Sequence, residues 1–268
     1  MRTHRLSVWL GMMLLTTLSS ALSAQSIWVS QHTDKAIALE LLKPEFDGDD
    51  GASTSTGVGF VSLRMPIAPT VVFVGELPFA HAAFDGVEES DDAVGNPYLG
   101  VEFHPAGSSV YWDLGVRPPV APEDNAAVLI GFVTDQNRWE AFLPDLMTVR
   151  GGFNFRYQTP TGLVTRLRAG PNIWIPTEGS EVEVLASYSG QVGYEGSQIS
   201  VLGGLTGQAI ITEEGLELSE RTSHQVGAIV TFVAGNVRPG AFFQLPLDEE
   251  MRDMVDFVFG LNVSVDLP

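Results

Sequence analysis

The stretch from Met147 to Ile175 constrains the fold most, because it has the pattern of one long β-hairpin. Apolar and polar residues alternate without interruption from Met147 to Gln158, as in a strand with one apolar and one polar face. Residues 159–162 supply Pro and Gly for a tight turn, and a return strand follows. The apolar face is uncharged, whereas every charge on the polar face is an arginine. Strands of about ten residues with an apolar outside and a polar inside are typical of transmembrane β-barrels.

The rest of the chain repeats this pattern. Twelve segments favour strands, at residues 36–43, 57–66, 70–80, 96–104, 109–117, 147–158, 163–175, 182–194, 197–212, 224–234, 237–247 and 254–267. Five connections are short, at residues 67–69, 105–108, 159–162, 195–196 and 235–236. Six are longer or more acidic, at residues 45–56, 81–95, 118–146, 176–181, 213–223 and 248–253. Short and long connections alternate, as in an up-and-down barrel with short inner turns and long outer loops.

One long connection, residues 118–146, has a different pattern. Leu129, Phe132, Val133, Phe142 and Leu143 recur near helical spacing, after start signals for a helix. We therefore expect a short amphipathic helical segment in an outer loop, packed on the barrel rim or folded into the lumen. The alternative is a thirteenth strand or an ordinary core element.

The beginning of the chain has the features of a secretory signal peptide over residues 1–24. Arg2 and Arg5 precede an apolar run, and small residues follow it as a cleavage region. We expect residues 25–268 to form one β-barrel domain. No other stretch has the roughly 18 consecutive apolar residues that a transmembrane helix needs. With no Cys in the chain, disulfides cannot hold it together.

The chain is strongly acidic. The net charge is −19, and residues 1–24 carry two arginines and no acid, so the remainder carries −21. Such a charge excludes nucleic acid as a natural partner. The acidic runs at residues 47–50 and 85–92 are better interpreted as solvated loops than as calcium sites, since neither matches a full calcium loop.

Turning the polar faces inward predicts a set of residues that line the lumen. They are Glu40, Arg64, Glu76, Glu102, Asp113, Arg117, Arg150, Arg156, Arg166, Arg168, Arg238, Asn262 and Asp266. Acids and bases then occupy different arcs of the wall, which would set up a transverse field that tunes selectivity. The alternative is that these charges pair with each other and close the barrel with a polar core.

No catalytic set is evident in the sequence, so we expect no enzyme. An outer-membrane lipase would need a Ser–His pair with an orienting amide or acid near the lipid boundary. Only His104, close to Ser108 and Ser109, approaches that pattern. It lies beside a turn that we expect on the periplasmic side of the membrane. The five histidines have no metal-ligand spacing, and no cofactor is expected.

The chain resembles bacterial outer-membrane β-barrels in its signal peptide and alternating strands. Its alternating last strand, Phe257 to Leu267, resembles the signal used for barrel insertion. It departs from that signal by ending in Leu267-Pro268 instead of an aromatic residue. More loosely, the stretch from Gly75 to Phe79, an acidic loop and the stretch from Gly95 to Val101 resemble the porins associated with phenol meta-degradation pathways. That resemblance implies a channel for small solutes, aromatic ones among them.

The sequence therefore predicts an all-β, antiparallel, up-and-down transmembrane barrel of about twelve strands in the outer membrane. We expect a porin-like channel for small solutes, aromatic or charged ones among them, with outer-membrane lipid and the barrel-insertion machinery as partners. Trp112, Tyr157 and Trp174 are expected near the membrane interfaces. Two alternatives stay open at this stage: a closed barrel with a structural or surface-binding role, and a soluble exported β-sandwich that binds a ligand.

Overall fold

The computed structural model describes residues 35–46, 55–84, 90–179, 181–213 and 221–268. The predicted signal peptide, the acidic run at residues 47–50 and most of the run at 85–92 lie outside these residues. Thirteen strands are seen in the described part of the chain. They are β1 (Ala36–Phe46), β2 (Gly57–Ala68), β3 (Val71–Ala83), β4 (Ser90–Val94), β5 (Tyr98–Phe103), β6 (Val110–Arg117), β7 (Leu146–Gln158), β8 (Leu163–Pro176), β9 (Glu183–Glu195), β10 (Ile199–Ile210), β11 (Thr222–Phe232), β12 (Val237–Pro246) and β13 (Val255–Asp266).

The strands form one closed antiparallel sheet. Sequence neighbours pair from β5 to β13, β13 pairs with β1, and β1 pairs with β2. The pairing of β2 with β3 then closes the ring. The predicted barrel is therefore confirmed, and the alternative of a soluble β-sandwich is excluded, because a sandwich is built from two open sheets.

The short strand β4 is the extra element. Both β4 and β5 pair with β3, the first along its end from Phe79 to Ala83 and the second from Val71 to Glu76. Together they occupy one position in the wall, so the barrel has twelve strands and one additional short strand. The predicted loop at residues 81–95 is correspondingly shorter, because part of it extends β3 and part forms β4.

The two faces of the wall have the polarity that the hairpin predicted. On the central hairpin, Leu163 and Leu167 are exposed to 59% and 49%, whereas Asn154 and Asn172 are buried. The same alternation surrounds the barrel. Exposed apolar side chains include Ile37, Leu41, Val61, Leu77, Leu99, Leu114, Val116, Phe153, Val192, Val201, Leu205, Phe243, Phe259 and Leu261. We call these residues the apolar belt. An apolar outside around a polar inside is the arrangement of a barrel that spans a lipid bilayer.

Trp112 and Tyr157 lie on the outer face, with 37% and 51% of their surface exposed. Trp174 was predicted to lie near a membrane interface with them, but it lies opposite the buried Thr148, on the inner face. Period-2 alternation puts it on the same face as the buried Asn172, so it cannot contact lipid there.

The long connection between β6 and β7 contains helix α1 (Ala126–Thr134) and a 3-10 turn (Gln136–Ala141). Residues 118–145 are called the inserted segment from here on. A second, four-residue helix, α2 (Glu249–Arg252), precedes β13. No helix in the described ranges is long and apolar enough to cross a membrane.

The helical prediction for the inserted segment is confirmed, and the structure places the segment inside the barrel. Its 3-10 turn contacts Glu40 and Glu76 on one wall and Gln208 and Gln225 on the other. A segment that touches both walls must lie in the lumen. Its apolar side packs at the long-loop end, where the ring of Phe142 meets that of Phe60 edge-on at 5.9 Å.

Candidate functional site

The inserted segment is held to the wall by Asn96, which lies in the break between β4 and β5. Its side-chain amide donates to the carbonyls of Glu140 and Leu143, at 2.9 and 2.7 Å. Its side-chain oxygen accepts from the amides of Val120 and Ala121. One buried residue thus binds both ends of the inserted segment. The adjacent Gly95 leaves room for the segment, since a Cβ there would lie 2.2 Å from the Ala141 carbonyl oxygen.

A buried ionic cluster fixes the middle of the inserted segment. Arg138 binds Glu76 at 2.8 Å, Asp135 at 2.6 Å and Glu40 at 3.2 Å. Burial disfavours the charged guanidinium, but Asp135, Glu40 and Glu76 together raise the pKa of Arg138 well above its ordinary value. All four side chains are almost fully buried, so removing any one of them would leave a buried charge without its partner.

A second carboxylate of the inserted segment, Glu140, extends this cluster to the arginines of the wall. It lies 3.5 Å from Arg150 and 3.8 Å from Arg117, and Arg117 also binds Glu76. The segment therefore supplies an acid to wall arginines and an arginine to wall acids. These ion pairs connect the segment to β1, β3, β6 and β7.

The other predicted lumen charges also have partners. Arg64 binds Glu102 through two hydrogen bonds, and His104 binds the same carboxylate. Arg156 and Arg166 share Glu195. Further contacts join Arg168 with Asn154, Asn154 with Asp113, and Arg238 with Asp266. Asn262 is buried beside Gly240. The geometry thus favours the alternative in which acids and bases pair, over separate charged arcs.

Four charged participants were missed from the sequence: Asp135, Arg138, Glu140 and Glu195. The first three lie in the inserted segment, where no strand alternation assigns a face. Glu195 ends β9, at a position that the sequence indicated as a turn. A usable signal was the presence of Arg138 and Glu140 between apolar residues of a segment that had to bury its apolar side.

Neutral hydrogen bonds connect the inserted segment to the opposite wall. Asn137 donates to Gln225 at 2.8 Å and accepts from Thr206, and Gln208 donates to the Gln136 carbonyl at 2.6 Å. These contacts reach β10 and β11. The segment therefore has a charged attachment on one side and a neutral attachment on the other.

Two cavities lie along the neutral side. A vestibule of about 360 Å³ at the long-loop end is lined by Trp139, Leu185, Arg221, Asp248 and Glu249, among others. A small pocket of about 10 Å³ lies deeper, beside Arg150, Arg168 and Thr206. That volume holds about one water molecule. Gln208 lines both cavities, so its side chain borders the vestibule on one side and the small pocket on the other.

The Ser–His pair that best matched a lipase pattern in the sequence, His104 with Ser108, does not form. His104 binds Glu102 at 2.7 Å and stacks on Tyr111 at 4.5 Å, and the Ser108 hydroxyl accepts from the Val110 amide. His104 belongs to the lumen cluster of Arg64 and Glu102.

Solved structures with the same architecture are outer-membrane barrels. An outer membrane channel from Pseudomonas putida F1 aligns with a TM-score of 0.59 at 12% identity, over 91% of this chain and 100% of that one. LpxR from Salmonella typhimurium gives 0.53 at 9%, over 87% and 100%. The NanC porin gives 0.52 at 7%, over 87% and 100%.

At these identities the likeness shows the fold and not the activity. No protein-family model matches the sequence, and no curated protein matches it either. The resemblance to porins of phenol degradation therefore stays a prediction. The chain has the fold of outer-membrane β-barrel proteins, as a closed twelve-stranded antiparallel barrel with one extra strand and a helical segment within it.

Proposed function

We propose that this protein is an outer-membrane channel for small polar solutes, gated by the inserted segment. The observation that carries the proposal is the position of Gln208. Its side chain borders both the 360 Å³ vestibule and the pocket lined by Arg150 and Arg168, and it binds the inserted segment through one neutral hydrogen bond. Solutes would pass between the segment and strands β8 to β11.

The pathway is narrow in this state, since the inner pocket has room for about one water molecule. Permeation therefore requires the segment to move away from β10 and β11. The neutral side is the side that can open, because its hydrogen bonds can be exchanged for water. Separating Arg138 from Glu40 and Glu76 would instead leave buried charges without partners.

The charge along this path limits what can pass. Asp248, Glu249 and Glu250 at the vestibule attract cations, whereas Arg150 and Arg168 at the inner pocket repel them. Neither a simple cation nor a simple anion meets favourable charge throughout. We expect solutes that are neutral or carry both charges to pass best.

In the proposed orientation the long loops face outward and the short turns face the periplasm, as in other barrels of this type. The apolar belt contacts lipid, and β13 is the strand that the insertion machinery would recognise. The solute itself enters from the vestibule.

A closed barrel with a structural or surface-binding role is the second candidate. It is favoured by the ion pairs that fix the inserted segment to β1, β3 and β7. The two candidates differ in one measurable property, which is conductance.

Conductance of the purified protein in planar lipid bilayers tests the proposal. We expect the wild type to conduct weakly, and Gln208→Ala to raise the conductance severalfold, because it removes a side chain that borders both cavities and its hydrogen bond to Gln136. The matched control is Gln244→Ala, which removes a buried inward glutamine on β12 that does not line either cavity. No conductance in either the wild type or Gln208→Ala would favour the closed barrel.

A further inference from the structure

Three polar residues that are far apart in the sequence meet on the outer face of the barrel, at its long-loop end. His81 lies near the end of β3, where it pairs with Asp92 on β4 and with Gly57 on β2. Ser55 lies in the turn just before β2, and its hydroxyl lies 3.5 Å from the His81 ring.

The three side chains are arranged as nucleophile, base and orienting acid. His81 Nδ1 lies 2.8 Å from Asp92 Oδ1, and His81 Nε2 lies 3.5 Å from Ser55 Oγ. With Nδ1–H donating to Asp92, the free lone pair of Nε2 points at the serine hydroxyl. The Ser–His distance is loose, as is common before a substrate binds.

This cluster lies at the border of the apolar belt. Phe79, two residues before His81 on the same face, lies over Gly59. Val94, which pairs with Phe79, and Leu77 are 48% and 46% exposed. Above this apolar surface, the Asp92 side chain is 81% exposed and that of His81 33%. The cluster is therefore open to a substrate whose acyl chains lie against the belt and whose ester group lies at the membrane surface.

We propose that Ser55, His81 and Asp92 form a hydrolytic site for the acyl esters of membrane lipids. Ser55 Oγ attacks the ester carbonyl carbon while His81 Nε2 takes the hydroxyl proton. The C–O bond to the alcohol breaks, and His81 gives that proton to the departing alkoxide. Water then attacks the acyl-serine with His81 as base, which releases the fatty acid and restores Ser55. Asp92 is a positioning residue that holds the imidazole.

The proposed hydrolytic site is independent of the channel. Its residues face outward, whereas Gln208, Arg150 and Arg168 line the inner path. Ser55→Ala should therefore leave the bilayer conductance unchanged, so either proposal can fail without the other.

Labelling with a fluorophosphonate, which reacts with activated serines, tests the site in the full-length folded barrel. We expect labelling of Ser55, located by mass spectrometry, that Ser55→Ala and His81→Ala abolish. Ser90→Ala, on the same rim, is the matched control and should label like the wild type. A gel shift on heating verifies that each variant is folded.

Release of fatty acid from mixed micelles of dioleoyl phosphatidylethanolamine tests the substrate class. We expect release that depends on Ser55 and that falls at least about tenfold in Asp92→Asn, with part of it kept in Asp92→Glu, which retains a carboxylate. Absence of Ser55-dependent labelling would overturn the site. Labelling of Ser55 without Ser55-dependent release of fatty acid would overturn the assignment of a lipid ester as substrate.

Discussion

At the scale of single residues, Arg138 is the side chain on which the interior of the barrel depends. It neutralises Glu40 and Glu76 from the wall and Asp135 from its own segment, and its guanidinium lies 3.4 Å from the centre of the Phe60 ring. A buried cluster of this kind specifies one position for the inserted segment, because any shift leaves carboxylates without a partner.

Replacing Arg138 with Ala should lower the free energy of unfolding by about 3–5 kcal/mol, since three carboxylates lose a buried partner. Urea unfolding in lipid vesicles measures this. The matched control is Arg156→Ala, which should cost about 1 kcal/mol or less, because Arg166 stays on Glu195. Equal losses in both variants would contradict the central role of Arg138.

The inward positions on strands follow from alternation alone, so residues such as Glu76 and Arg150 could be predicted. Their partners could not, because a strand pattern gives a face and no pairing across the lumen. Ser55, His81 and Asp92 illustrate the same limit. They come from three segments, and only the register of β2, β3 and β4 brings them together.

At the scale of elements, the break between β4 and β5 determines where the inserted segment lies. Asn96 binds Val120 before the 3-10 turn and Leu143 after it, and its own backbone amide donates to the Ala141 carbonyl at 2.7 Å. Helical spacing predicted the helix, but it could not choose between the rim and the lumen. The position in the lumen follows from the hydrogen bonds of Asn96 and from the ion pairs of Arg138 with Glu40 and Glu76 on the wall.

Asn96→Ala should loosen the inserted segment without opening the barrel, because it removes the side-chain hydrogen bonds to residues 120, 121, 140 and 143 and none between strands. Hydrogen exchange should become at least tenfold faster over residues 126–142, which corresponds to about 1.4 kcal/mol. Asn262→Ala, a buried asparagine of β13, is the control and should leave exchange in those residues as in the wild type. Unchanged hydrogen exchange in Asn96→Ala would show that the other contacts hold the inserted segment in place without Asn96.

At the scale of the whole molecule, closure of the sheet gives the protein its stability in lipid. Residues 261–265 pair with β1 on one side and with β12 on the other. The alternation of short and long connections predicted twelve strands, and that number is confirmed. The extra strand β4 was not predicted, since its acidic sequence Ser-Asp-Asp favours a loop.

A chain that ends at Gly260 should fail to form a barrel, because β1 and β12 would present unpaired backbone groups that cost several kcal/mol each in lipid. We expect it to be absent from the outer-membrane fraction and to show no gel shift on heating, whereas the full chain shows both. Substitution of Leu261 by Val, which keeps the pairing, is the control. A heat-modifiable truncated chain would contradict closure by β13.

Locking the inserted segment to β10 tests the gated channel most directly. The chain has no cysteine, so Asn137→Cys with Thr206→Cys introduces a single defined pair at two side chains that are in contact. In planar bilayers we expect the oxidised double variant to conduct less than the wild type, and reduction to restore its conductance. The conductance of Asn137→Cys alone should change neither on oxidation nor on reduction. Conductance that is the same in the oxidised and reduced double variant, with the disulfide verified by mass spectrometry, would contradict gating by this segment.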